Sequence, residues 1–306
     1  MIVLMIFDVE GVLAPVFTPF LHTGFIDFSI IPIYMKRLQK NRINGILVSG
    51  TTGEGMSLNV KERKELLEAW VSAAKPLGTK VIAQIGGAPL PDVLELAKHA
   101  KKLNVDGIMT LPELYYKPKN EHQLVEYLEE VSKAAPTLPL IYYHFPVMTG
   151  VDVNMQQLFS IASSKMINFG GAKADLFVAE QVADQLIGDQ KVFIANHHIA
   201  LSALMGHHSS IATVSNIFPD LVHAAVEAVN NEDLENARGI QKRLNKLVDC
   251  IASHGDFVPS MKAAMELVTG IRVGPTRRPL TPLNNEQISS LGNYLINLGV
   301  ELHSVT

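Results

Sequence analysis

The chain has 306 residues, is 47% hydrophobic and carries a formal net charge of −4. That supplies a large core, and the mildly acidic balance leaves no basic face for nucleic acid. One cysteine, Cys250, excludes an internal disulfide and a thiol-based zinc site, and points to a reduced, cytoplasmic setting.

The first residues, MIVLMIFDVEGVLAPV, form a short apolar run broken by Asp8 and Glu10, with no basic residue ahead of it. This reads as a leader into the first strand rather than a signal peptide. No stretch reaches the length of about 18 apolar residues that a membrane span needs.

Strand and helix patterns then alternate. Buried-strand runs are expected at 11–17, 45–50, 81–87, 105–111, 138–146, 167–173, 191–196 and 209–215. Helices are expected at 29–41, 59–75, 91–103, 121–135, 154–163, 176–188, 198–206 and 219–230. Asn59 suits an N-cap and Pro91 a first helical turn.

Such alternation implies a parallel sheet covered by helices. Eight units without a Gly-rich phosphate turn after the first strand favour a closed (β/α)8 TIM barrel over an open sheet. After residue 232 the strand pattern stops. Three helices follow, near 233–253, 257–269 and 285–298, with the Pro-rich GPTRRPLTPL (274–283) between the last two. The expected organisation is a barrel over 1–232 carrying the active site and a C-terminal helical extension over 233–306.

In such a barrel, functional groups sit at the carboxyl ends of the strands. The sixth run, INFGGAKAD (167–175), places one lysine, Lys173, at that address. Burial disfavours an ammonium, so a lysine there is a usable nucleophile for a keto acid. A solvent-facing lysine in a loop also fits this segment taken alone. Gly50-Thr51-Thr52-Gly53, after the second strand, offers hydroxyls and backbone N–H groups suited to a carboxylate, or equally an ordinary helix-capping turn. Tyr143, on the fifth strand, suits either a proton relay or a satisfied core position. The adjacent histidines His197-His198 and His207-His208 do not follow a metal-binding helical spacing, and no metal is expected.

GTTGE near position 50, Tyr143 with Pro146 and then Thr149-Gly150, and Gly171-x-Lys173 together resemble the dihydrodipicolinate synthase / N-acetylneuraminate lyase family of class I aldolases. The resemblance spans about residues 11–283. It implies that Lys173 forms a Schiff base with pyruvate, that Tyr143 relays a proton, and that Gly50, Thr51 and Thr52 hold the keto-acid carboxylate. It implies no cofactor, and a homotetramer in which Tyr115 reaches the neighbouring subunit.

Within the family, YYHFPVMTGV and GIRVGPTRRPL are similar to the animal-type N-acetylneuraminate lyases. Related synthases place an arginine where this chain has Met148, which cannot receive a second carboxylate. The resemblance breaks after the seventh strand. Where sialic acid lyases carry G-x-D-E, this chain has Ile194, Ala195, Asn196 and His197. The amide and imidazole replace charge-assisted acceptors, and Ile194 is expected to crowd the sugar tail. Asp175, two residues after the lysine, and Thr213, in the eighth strand run, complete the expected substrate-binding set. The resulting expectation is cleavage of N-acetylneuraminate to pyruvate and N-acetylmannosamine. The alternatives are an aldolase for another 2-keto-3-deoxy sugar acid and a weakly active barrel that binds keto acids or sugars.

Overall fold

The computed structural model describes residues 7–303, so the first six residues of the expected leader and the last three of the C-terminal extension lie outside the described residues. Eight strands pair in parallel and in chain order, and the last closes on the first. They are β1 (Val12–Pro15), β2 (Gly45–Val48), β3 (Lys80–Gln84), β4 (Gly107–Thr110), β5 (Leu140–Tyr143), β6 (Phe169–Ala174), β7 (Lys191–Ile194) and β8 (Ser210–Ile211). Parallel neighbours require a crossover, and helices supply it. These are α1 (Ile31–Lys40), α2 (Val60–Ala74), α3 (Leu90–Leu103), α4 (Glu121–Ala134), the single turn α5 (Pro146–Thr149), α6 (Met155–Lys165), α7 (Leu176–Val182), α8 (Ile199–Leu204) and α9 (Pro219–Asn230). Then come α10 (Leu234–Ala252), α11 (Phe257–Thr269) and α12 (Asn285–Asn297), with α10 packed on α8 and α9.

Capping chemistry starts several helices. The Asn59 side chain accepts from the Glu62 amide at 2.9 Å, and the Glu62 carboxylate accepts from the Asn59 amide at 3.0 Å. Pro91 sits in the first turn of α3, where its missing N–H costs nothing. The strands read as continuous apolar runs because both faces are covered. One set, including Leu13, Leu47, Ile82, Met109, Ile141 and Phe193, fills the barrel interior. The alternate set, including Ile46, Val48, Ile108, Leu140 and Ala172, packs outward against the helices. Phe7 and Val9 join the interior set, and Phe7 meets Phe193 edge to face at 5.9 Å.

Several elements are shorter than the sequence pattern predicts. The eighth strand run, expected over 209–215, pairs only at Ser210–Ile211 and then turns through 213–216. Asn216 causes the turn: its amide donates to the carbonyls of Thr213 at 3.0 Å and Pro15 at 2.9 Å. The fifth strand stops at Tyr143 because Pro146 opens the turn α5, which ends at left-handed Gly150. Helix α7 gives way after Val182 to a tighter turn, where Gln156 Nε2 satisfies the Gln181 carbonyl at 2.8 Å.

One irregularity in the sheet sets the site. Along the β5–β6 pairing, Leu140 faces Phe169 but Ile141 faces Gly171, so Gly170 is an extra residue. A one-residue bulge exchanges the faces of everything after it. Phe169 therefore points outward onto Phe159 of α6, and Ala172 and Ala174 also pack outward, while Lys173 faces inward beside Tyr143. Gly171 adopts φ +115°, and a Cβ there would lie 2.0 Å from the Lys191 carbonyl oxygen. Gly171→Ala should therefore destabilise the fold by more than the roughly 1–3 kcal/mol of backbone strain alone, read as a lower denaturant midpoint.

Candidate active site

The carboxyl ends of the strands open into a cavity of about 720 Å³. Lys173 lies on its floor, buried to 5% exposure. Its ammonium nitrogen lies 4.0 Å from the centre of the Tyr143 ring, and the two residues are register partners across β5 and β6. The Tyr143 ring stacks parallel on Phe145 at 5.7 Å, which holds the phenol upright in the mouth.

The loop after β2 reaches the same point. The Thr51 hydroxyl lies 3.1 Å from the Tyr143 hydroxyl, and the Thr52 hydroxyl lies 2.8 Å from that of Thr213 beyond β8. Gly50 shapes the turn from behind: its carbonyl accepts from the Gly55 amide at 3.1 Å. Thus Lys173, Tyr143, Thr51, Thr52 and Thr213 converge, although they span 163 positions of sequence from 51 to 213. An amine, a phenol and three alcohols at one closed end can form an imine, move a proton and hold a carboxylate.

The outer wall differs from the sequence expectation at one residue. Ile194 does not crowd the cavity: it follows inward-facing Phe193, so alternation turns it outward into the helix-packed core, fully buried. Ala195, Asn196 and His197 do line the cavity. The Asn196 side chain accepts from the His198 amide at 3.0 Å, so part of its capacity is used in the turn. The His197 carbonyl accepts from Gln241 of α10 at 2.8 Å, and burial pushes its imidazole below the ordinary range. Asp175 lines the cavity but also caps α7, accepting from the Val178 amide at 2.9 Å. Tyr115 is 83% exposed, beside equally exposed Tyr116, and lies outside this cavity. Met148, on α5, is also mostly exposed.

Other cavity residues were not picked out from the sequence. His144, almost fully buried, has Nε2 3.8 Å from the Asp152 carboxylate and a buried Nδ1 without a hydrogen-bond partner among the described residues. Its place between Tyr143 and Pro146 was the available signal. Val248 and Phe257, from the C-terminal helices, also line the cavity. No local pattern marks them, because only packing brings α10 and α11 over the barrel mouth. Among the described residues, no group of three or more His, Cys, Asp or Glu side chains is placed to hold a metal ion, and no helix is long and apolar enough to cross a membrane.

With this geometry in view, similarity to known proteins is extensive. The Dihydrodipicolinate synthetase family matches residues 8–297. The N-acetylneuraminate lyase of Mus musculus is 33% identical over 283 residues, covering 90% of this chain and 88% of that protein. The N-acetylneuraminate lyase of Danio rerio is 33% identical over 293 residues, covering 94% and 95%. Among solved structures, the Proteus mirabilis N-acetylneuraminate lyase matches with a TM-score of 0.90 at 26% identity, covering 95% of this chain and 99% of that one.

Burial pushes the His144 imidazole below its ordinary value of 6.5, opposed by Asp152 and Asp175. The unfolded chain therefore takes up this proton before the folded one does, so stability falls as pH drops through about 6.5 and rises with pH across that window. His144→Asn should flatten the decline in thermal midpoint between about pH 7 and pH 5.5, with His197 and His223, shifted the same way by burial, supplying the remainder.

Proposed function

The chain belongs to the dihydrodipicolinate synthetase family, and we propose that it cleaves N-acetylneuraminate to pyruvate and N-acetylmannosamine. It is a carbon–carbon lyase of the class I aldolase kind. The observation that carries this reading is the convergence on one cavity floor of Lys173, Tyr143 and the Thr51 hydroxyl, with Thr51 3.1 Å from Tyr143.

The amine of Lys173 attacks the C2 carbonyl of the keto acid, and loss of water gives an iminium. The iminium draws the C3–C4 bonding electrons to nitrogen. As that bond breaks, the C4 hydroxyl gives up its proton to the Tyr143 oxygen, directly or through the substrate carboxylate, while the Tyr143 phenol passes its own proton on toward C3, and C4 leaves as the aldehyde. The remaining enamine takes a proton at C3, and water then releases pyruvate from Lys173. The substrate carboxylate rests on the hydroxyls and backbone N–H groups of Thr51 and Thr52, with Gly50 setting the turn and Thr213 orienting Thr52. The sugar tail extends toward Asp175, Asn196 and His197.

The enzyme works in the cytoplasm as a homotetramer, and Tyr115 reaches a neighbouring copy's site. The strong exposure of Tyr115 supports that placement, and the single half-buried cysteine supports the compartment. The barrel over residues 1–232 carries the chemistry, and the extension from 233 contributes wall residues.

A second reading is favoured by Asn196 and His197, which offer no carboxylate to a polyol tail: an aldolase for another 2-keto-3-deoxy sugar acid. Turnover with other aldehydes and pyruvate, but none with N-acetylmannosamine, would select it.

Borohydride reduction in the presence of pyruvate should attach the three-carbon unit to Lys173, located by peptide mass. Attachment at Lys262, or at no residue, would overturn the reading. Tyr143→Phe should lower kcat by about 10²–10⁴ while leaving that adduct able to form. Thr51→Val should raise the KM for the keto acid about tenfold, as expected for loss of one hydrogen bond to a charged group.

A further inference from the structure

The loop that carries Thr51 and Thr52 is held from behind by a buried charge pair. Its backbone is strained at both ends: Ser49 and Glu54, neither of them glycine, adopt φ of 59° and 52°. Such conformations persist only where the surroundings impose them. Within the loop, the Glu54 and Gly55 amides donate to the Thr51 and Gly50 carbonyls at 3.0 and 3.1 Å. Thr18 Oγ1 donates to the Gly53 carbonyl at 2.6 Å. These contacts leave the Glu54 side chain pointing away from the cavity, which it does not line.

That side chain runs into the C-terminal part of the chain. Lys262 of α11 places its Nζ 2.7 Å from Glu54 Oε1, and the two side chains are 2% and 0% exposed. The same Lys262 Nζ also donates to the Pro275 carbonyl at 3.0 Å. Glu54 Oε2 accepts from the Arg277 amide at 2.8 Å. The Arg277 guanidinium pairs with both oxygens of Glu62, each at 2.9 Å, so the start of α2 is tied to the same link. The Phe20 ring lies under both cations, 4.5 Å from Lys262 Nζ and 4.6 Å from the Arg277 guanidinium carbon. Burial lowers the Lys262 ammonium, and Glu54 acts against that. None of these groups touches the cavity, so the cluster is unused by the chemistry described above.

We propose that Glu54, clamped by Lys262 and the Arg277 amide, is a positioning residue that holds the turn whose Thr51 and Thr52 hydroxyls and N–H groups receive the keto-acid carboxylate, so that α11 and the 274–283 link govern keto-acid binding. The inference rests on the reading of Lys173 and the threonines given above. Thr51 is three residues from Glu54, and the Glu54 amide is bonded to its carbonyl. A shift of the carboxylate therefore moves the hydroxyls as one piece with the turn. A displacement near 1 Å at such a contact costs up to about a hundredfold in binding or rate. The effect should fall on capture of the carboxylate and spare the later proton transfer, because Tyr143 and Lys173 are fixed by strands.

The test uses full-length protein, pyruvate and borohydride, with the amount of Lys173 adduct measured against pyruvate concentration. Folding is checked by thermal unfolding. Glu54→Gln should raise the half-saturating pyruvate concentration about ten- to a hundredfold, while the adduct yield at saturation stays within about twofold. Lys262→Arg, which keeps the charge but changes its reach, should shift half-saturation the same way by a smaller factor, and guards against a Glu54→Gln chain that does not fold. In steady state, both should show the change in KM with kcat nearly unaltered. Wild-type half-saturation in the folded fraction of both variants would overturn the proposal and leave the pair a merely structural one. Absence of any Lys173 adduct in the wild type would instead remove the functional reading, and the proposal with it.

Discussion

The direction in which Lys173 points depends on one extra residue in β6. A strand alternates its side chains strictly, so without the bulge the lysine would share the outward face of Phe169 and be buried among apolar helix residues. Gly170 and Gly171 absorb the bulge: Gly171 has a left-handed backbone and no room for a side chain against the Lys191 carbonyl. Everything else in the cavity is arranged around the resulting position. Tyr143 is its register neighbour, and Phe145 fixes the tilt of that ring.

A closed barrel converts sequence distance into spatial proximity. Tyr143 and Lys173 lie at the ends of β5 and β6, Thr51 and Thr213 just after β2 and β8, and closure of β8 on β1 brings the two loops together. The hydroxyl contact between Thr52 and Thr213 spans that closure. Strand ends locate Lys173 and Tyr143 rigidly. The threonines sit on a strained turn that needs outside support, and the buried Glu54–Lys262 pair lies where that support comes from. An uncompensated charge at either position would be costly in so dry a setting, which explains why the two partners are buried together.

The same division separates the floor of the cavity from its outer wall. The floor carries amine, phenol and alcohols in contact. The outer wall is assembled from loops and from the C-terminal helices, with Asn196 and His197 partly engaged in holding the turn and α10. A wall built that way can vary without disturbing the floor.

The sequence by itself determined the alternation of eight strands and helices and the three helices after residue 232, because both leave local periodicities and caps that neighbouring residues express directly. It also marked Lys173, Tyr143 and the 50–53 turn, since glycines and hydroxyls at a strand end are readable in place. It misplaced the Ile194 side chain, because facing is a matter of register and not of residue type. It overextended β8, whose end is set by the long-range bonds of Asn216 to Pro15 and Tyr34. His144, Val248, Phe257 and the Glu54–Lys262 pair came only with the tertiary structure, for a physical reason: burial and pairing depend on partners up to 208 positions apart in the chain, as Glu54 and Lys262 are, and no local pattern records that distance.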